Sequence, residues 1–175
     1  MPRFPAPVPS RLPGVGTTIF TVMSRLAAEC GAINLSQGYP DFPAPPELLD
    51  RVAHHMRAGS NQYAPMAGVP PLREAVAAKS EARYGTRYDP ETEVTITAGG
   101  TQAIFTAVTA LVRPGDEVIV LEPVYDSYVP AVELAGGRAV RVALAPPAYR
   151  PDWRAIRAAV SPRTRMIMVN GPHNP

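Results

Sequence analysis

The chain has 175 residues, of which 46% are apolar and 18% are charged, so it is long enough to fold as a globular domain with its own core. The net charge is only +2 and no basic run is present, which argues against nucleic acid as a partner. Cys30 is the single cysteine, which excludes an internal disulfide and favours a reducing compartment.

Two further features bear on location. No apolar run reaches membrane-spanning length, and the first residues lack the apolar core of a signal peptide, so we expect a cytoplasmic protein that does not contact a membrane. The apolar neighbours of Cys30 predict that its side chain is buried.

Elements in the first half of the chain are predicted to be helices and loops. Many of the 22 prolines fall within the first 50 residues, which favours an extended N-terminal arm. Helical spacing of apolar residues covers 17–30, and a loop rich in glycine and proline follows up to residue 46. Two more helices are expected, at 46–58 and from 71 to about 84.

The second half changes to alternating strands and helices. The strands are expected at 93–97, 117–121, 138–144 and 165–170, and the helices between them at 101–112, 125–134 and around 153–160. This alternation predicts an α/β fold, with a parallel, doubly wound sheet, flanking helices and right-handed crossovers.

Three segments follow predicted strands and are candidates for a binding site. They are Thr-Ala-Gly-Gly-Thr-Gln at 97–102, Glu-Pro-Val-Tyr-Asp at 122–126 and Asn-Gly-Pro-His-Asn-Pro at 170–175. Each by itself is also compatible with a turn that binds nothing. Ligands of such sheets bind beyond the carboxyl ends of the strands, so three such segments at one edge predict a site. The P-loop and dinucleotide-binding patterns are absent, and no metal site is predicted.

The same segments resemble a known family. Together with Asn-Leu-Ser-Gln-Gly-Tyr-Pro-Asp-Phe-Pro at 34–43, Asn-Gln-Tyr at 61–63, Gly-Val-Pro-Pro-Leu-Arg at 68–73 and Pro-Gly-Asp-Glu-Val at 114–118, they are similar to class I/II aminotransferases of fold type I. The resemblance runs from about residue 30 to the last residue, and is strongest with the branch of kynurenine, glutamine and methionine aminotransferases. It implies pyridoxal 5'-phosphate (PLP) as the cofactor, and an N-terminal half of such an enzyme.

The resemblance also implies roles for residues that would bind the cofactor. Gly100, Thr101 and Gln102 would hold the phosphate, Tyr125 would stack on the pyridine ring, and Asn174 would bond the phenolic oxygen.

Other implied roles concern the substrate and a second protomer. Asn170 would either support Asn174 or face the carboxylate of the substrate, an amino acid or a 2-oxo acid, and Gly38 would lie along the substrate. Tyr63 would reach the cofactor phosphate of the partner in a homodimer. His173 stands where many relatives have asparagine, a change shared by some methionine-preferring members.

The lysine that forms the Schiff base with PLP in this family lies after the Asn-Pro motif, beyond the last residue here. The chain contains one lysine, Lys79, within a predicted helix, and we interpret it as a solvated side chain. No catalytic residue is therefore predicted, and the chain alone is expected to be inactive. We expect 1–45 to form the N-terminal arm and a small-domain segment, and 46–175 the first, truncated part of the PLP-binding large domain.

Three alternatives stay open at this point. The same scaffold serves PLP-dependent carbon–sulfur β-lyases, which product analysis would distinguish. A non-catalytic fragment could bind the cofactor or dimerise, and so act as an interaction protein. Whichever holds, the expected partner is a second copy of the chain or a complementing C-terminal half. A generic nucleotide-binding α/β domain is disfavoured by the missing phosphate-loop patterns.

Overall fold

The structure is a computed structural model that describes residues 9–38 and 40–174. The first part of the predicted arm, Tyr39 of the Ser-Gln-Gly-Tyr loop and Pro175 of the last motif lie outside the described residues. The described chain divides into two compact units, Met23–Ala98 and a unit that joins the residues up to Val22 with those from Gly99 onward. The predicted domain boundary near residue 45 stays a prediction.

Helices dominate the first half of the chain, as predicted. Helix α1 covers Ile19–Glu29, α2 covers Pro46–Arg57 and α3 covers Pro70–Tyr84. Helix α3 begins with a proline, which is tolerated there because the N–H groups of a first turn have no acceptor within the helix. The helix ends at Gly85, which adopts the left-handed conformation. No helix among the described residues is long and apolar enough to cross a membrane.

The unit that contains Gly99–Asn174 is an α/β sandwich around a parallel sheet. The strands are β1 (Glu117–Glu122), β2 (Arg138–Ala143) and β3 (Thr164–Met168), and their order in the sheet is β2-β1-β3. The helices are α4 (Gly100–Leu111), α5 (Tyr128–Leu134) and α6 (Trp153–Ala159). Both neighbours of β1 run parallel to it, which confirms the predicted fold class.

Strand β1 is buried on both faces, which is why its sequence is a nearly continuous apolar run. Val118 and Val120 pack into one cluster with side chains of α4 and α5. Ile119 and Leu121 pack into a second cluster, which includes Ile156 of α6. The helices thus lie on both sides of the sheet, as the doubly wound arrangement requires.

Three predictions were wrong. The run 93–97 is not a strand: Ile96 N–H donates to the carbonyl of Ala67 at 2.9 Å, and the sheet of the described residues has three strands rather than four. A β-rich pattern becomes a strand only where a neighbouring strand accepts its hydrogen bonds. Helix α5 begins at Tyr128 and not at Tyr125. Cys30 is an exposed free thiol, because it lies at the end of α1, which has no buried residue.

Candidate functional site

Three chain segments meet at the carboxyl edge of the sheet. Strands β1 and β3 are parallel neighbours, so the loops that follow them leave the sheet at the same edge. Helix α4 leads into β1 through the short connection 112–116. Val108 in the last turn of α4 and Val112 in the connection belong to the same hydrophobic cluster as Val118, near the start of β1. Helix α4 therefore runs antiparallel to β1. Because 12 helical residues and six strand residues have similar lengths, roughly 18 and 20 Å, α4 begins at the carboxyl edge.

The start of α4 has the features of an anion site. Its N-cap is Gly99, with φ +92°, and no side chain caps the helix. A Cβ atom on Gly99 or Gly100 would meet no neighbouring atom within 4 Å, so the backbone faces open space. The first intrahelical bond runs from Ala103 N–H to the carbonyl of Gly99, so residues 100–102 form the first turn, at the positive end of the helix dipole. Such a helix start suits a phosphate group.

Tyr125 lies in the loop between β1 and α5, three residues after the end of β1. Its side chain is half-buried, and its ring packs edge-to-face against Tyr128, with centroids 5.8 Å apart and planes at 65°. An aromatic ring held in this way at the carboxyl edge can offer a face to a planar ligand.

The loop after β3 carries the two asparagines predicted for the site. Asn170 is half-buried and Asn174 is exposed. The intervening His173 lies with its Nε2 atom 2.6 Å from the carbonyl oxygen of Pro123, in the loop that carries Tyr125. This contact, which the sequence analysis missed, joins the two loops. The structure thus places the helix start at Gly100, the Tyr125 loop and the Asn174 loop at one edge of the sheet.

Gly38 and Tyr63 belong to the other unit. Gly38 is exposed and follows a loop that is tied to α1: Asn34 Nδ2 donates to Ser24 Oγ at 3.0 Å, and Ser24 Oγ donates to Gln37 at 3.3 Å. Tyr63, in the loop between α2 and α3, is fully exposed. Their predicted contacts with substrate and with a second protomer stay predictions.

Lys79 and Glu117 are two ionisable groups outside these three segments. Lys79 is exposed on α3, within the Met23–Ala98 unit. Glu117, at the amino-terminal end of β1, is buried among Arg138, Ser161 and Arg163. In the described part of the chain, no group of three or more histidine, cysteine, aspartate or glutamate side chains is arranged to hold a metal ion.

Comparison with known proteins agrees with this geometry. The family model for aminotransferase class I and II matches residues 31–175. A methionine aminotransferase from Escherichia coli (strain K12) is 56% identical over 166 residues, which cover 95% of this chain and 43% of that protein. Human kynurenine–oxoglutarate transaminase 1 is 36% identical, over 94% of this chain and 42% of its own length.

Solved structures give the same result. The crystal structure of an Escherichia coli protein with an identified methionine aminotransferase function is similar with a TM-score of 0.94 and 55% identity, over 98% of this chain and 45% of that chain. The N-succinyldiaminopimelate aminotransferase of Mycobacterium tuberculosis is similar with a TM-score of 0.91 and 48% identity, over 97% and 44% of the two chains. The chain spans less than half the length of the relatives it matches.

Proposed function

The chain belongs to the class I and II aminotransferase family, and we propose that it forms the cofactor-binding part of the N-terminal half of a PLP-dependent aminotransferase. Such an enzyme transfers an amino group between an amino acid and a 2-oxo acid. The observation that carries the proposal is the meeting of three segments at one sheet edge: the helix start at Gly100, the Tyr125 loop and the Asn174 loop.

Each of the three segments at this edge suits a different functional group of PLP: the phosphate, the pyridine ring or the phenolic oxygen. The uncapped glycine start of α4, with Thr101 and Gln102 in its first turn, would hold the dianionic phosphate. The half-buried ring of Tyr125 would stack on the pyridine, and the exposed amide of Asn174 would donate to the phenolic oxygen. When bound, PLP supplies an electron sink for the negative charge that develops on the substrate.

The proposal extends to the substrate and to the assembly. Asn170, half-buried in the same loop as Asn174, would support Asn174 or face the substrate carboxylate, and we propose Gly38 as a second residue that contacts the substrate. The fully exposed ring of Tyr63 suits a residue that reaches another protomer, so we include a homodimer, or pairing with a complementing C-terminal half. The free thiol of Cys30 supports a cytoplasmic location as part of the same proposal.

We also propose that the 175-residue chain alone does not transfer amino groups. The reaction needs an amine that binds PLP covalently and then moves a proton. The only lysine, Lys79, is exposed on α3 in the unit that does not contain Gly100, Tyr125 or Asn174.

The proposal is tested by direct binding of PLP to the purified chain. Equilibrium dialysis should give a dissociation constant that rises roughly tenfold in Tyr125→Ala, because stacking on the ring is lost. The matched control is Tyr84→Ala, since Tyr84 is exposed on α3, and it should leave the constant unchanged. A chain with a folded circular dichroism spectrum that binds no PLP would contradict the proposal.

Covalent trapping tests the part of the proposal that concerns the lysine. PLP is added near its dissociation constant, the mixture is reduced with borohydride, and the chain is digested for mass spectrometry. We expect no adduct on Lys79. A stoichiometric adduct there would show that this lysine serves the site, and the proposed inactivity would be wrong.

A further inference from the structure

His173 links the two loops that carry Tyr125 and Asn174. Its Nε2 atom lies 2.6 Å from the carbonyl oxygen of Pro123, a residue 50 positions earlier in the chain. Pro123 is two residues before Tyr125, and His173 is the residue immediately before Asn174. A single side-chain contact therefore joins the start of one loop to the end of the other.

The chemistry of the contact fixes which atom carries the proton. A carbonyl oxygen only accepts hydrogen bonds, so the Nε2 atom of His173 must be protonated and must donate. Asparagine has a shorter side chain, so its backbone would have to lie nearer to Pro123 to bring a donor to the same carbonyl oxygen.

Tyr125 has a second restraint on the other side. Its ring packs against Tyr128 at a centroid distance of 5.8 Å, and Tyr128 is the first residue of α5. The loop that carries Tyr125 is thus held at its end by α5 and at its start by His173. The loop after β3 is held at its start by the end of β3 and at its other end by the same histidine, directly before Asn174.

We propose that His173 is a positioning residue for the cofactor: it sets the distance between the amide of Asn174 and the ring of Tyr125. This inference rests on the proposed function, in which these two side chains bind the same PLP molecule. His173 itself need not touch the cofactor, because it acts through the two residues beside its contact.

Substitution of His173 should change PLP affinity in a graded way. In His173→Ala the dissociation constant for PLP should rise roughly two- to tenfold, the usual effect of one lost neutral hydrogen bond. His173→Gln keeps a donor at similar reach and should recover most of the affinity. The matched control is His54→Ala, on the exposed surface of α2, which should bind PLP as the wild type does. Equal affinity of His173→Ala and the wild type would overturn the inference.

A double-mutant cycle separates positioning from general stability. If His173 acts through Asn174, then His173→Ala should have little further effect on PLP affinity once Asn174→Ala is present. Two independent effects, whose factors multiply in the double variant, would overturn the inference. A loss of overall stability alone would lower the unfolding midpoint without this coupling.

A readout without PLP distinguishes failure of the inference from failure of the proposed function. If the wild-type chain binds no PLP, the proposed function fails, and backbone NMR signals then decide on the link. His173→Ala should shift the amide signals of Val124 and Tyr125, which are far from it in sequence. If these two signals stay unchanged while those of Asn174 move, the link between the loops is refuted.

Discussion

The carboxylate of Glu117, buried at the first position of β1, accepts a hydrogen bond of 2.7 Å from the guanidinium of Arg138 at the first position of β2. Ser161 and Arg163, just before β3, donate to the same carboxylate. One side chain therefore joins the amino-terminal ends of three strands. It does so at the edge of the sheet opposite to the Tyr125 and Asn174 loops.

Glu117→Gln should lower the urea midpoint of unfolding. The glutamine amide is neutral, so Arg138 and Arg163 lose the negative charge that they contact. Its NH2 group is a further donor, brought towards neighbours that themselves donate hydrogen bonds. Circular dichroism during urea denaturation measures the change. The matched control is Glu133→Gln, on the exposed side of α5, which should stay within about 0.5 kcal/mol of the wild type. Equal midpoints for the two variants would contradict the structural role of Glu117.

The dependence of stability on pH should carry the signature of the same carboxylate. Hydrogen bonds from Arg138, and after it from Ser161 and Arg163, lower the pKa of Glu117 from 4.5 to about 2. In the unfolded chain the pKa returns to its ordinary value, so the unfolded chain binds a proton first as the pH falls. The contribution of Glu117 is thus complete above pH 4.5 and is lost as the pH falls towards 2.

The urea midpoint measured between neutral pH and the acid limit of folding tests this dependence. The wild type should lose more stability on acidification than Glu117→Gln. Aspartates with lowered pKa values contribute to both proteins, so the difference between the two curves isolates Glu117. Curves that stay parallel at all pH values would exclude the lowered pKa.

Gly68→Ala should destabilise the Met23–Ala98 unit more than another glycine substitution does. Gly68 has φ +98°, and an added Cβ atom would lie 2.7 Å from Cβ of Ile96 and closer still to its Cγ1. Gly85 has φ +70° but open space around it, so Gly85→Ala should cost only the left-handed backbone, about 1–2 kcal/mol. The clash should add about 1–3 kcal/mol in Gly68→Ala. Equal losses in urea denaturation would argue against the contact with Ile96.

Ser127→Ala should leave the free energy of unfolding unchanged or raise it by up to about 1 kcal/mol. The hydroxyl of Ser127 is buried and makes no hydrogen bond with any described residue, so its removal relieves a desolvated group. Ser161→Ala is the contrasting variant, because its hydroxyl donates to Glu117 at 2.7 Å, and it should cost about 1–3 kcal/mol. A loss in Ser127→Ala as large as that in Ser161→Ala would mean that Ser127 has a partner.

Helices, whose backbone hydrogen bonds form within the element itself, could be predicted from the sequence. The helix expected at 46–58 is observed at Pro46–Arg57, because apolar spacing and the neighbouring prolines define it locally. The run 93–97 has the composition of a strand, yet a strand depends on a partner elsewhere in the chain. The pattern of β1 indicated burial on both faces, and the two clusters around Val118 and Ile119 confirm it.

In the candidate site too, residues in local motifs could be predicted, whereas contacts between distant parts of the chain could not. Motifs placed Tyr125 and Asn174 after strands, and the sheet brings those loops to one edge. Glu117 was not recognised, because its partners Arg138 and Arg163 lie 21 and 46 residues later and only the fold brings them together. His173 was interpreted through substrate preference alone, since its contact with Pro123 spans 50 residues and leaves no local pattern.

The outer edge of β3 also bears on contacts between molecules. Within the described residues β3 pairs only with β1, and the side chain of Ile167 in β3 is 44% exposed. Such an edge is a template for strands of other molecules, and natural proteins block it with charges. Arg165 is the charge available on β3, and it turns towards Asp116 at 3.2 Å. The free edge of β3 is therefore a place in the described sheet where a strand of another molecule can pair.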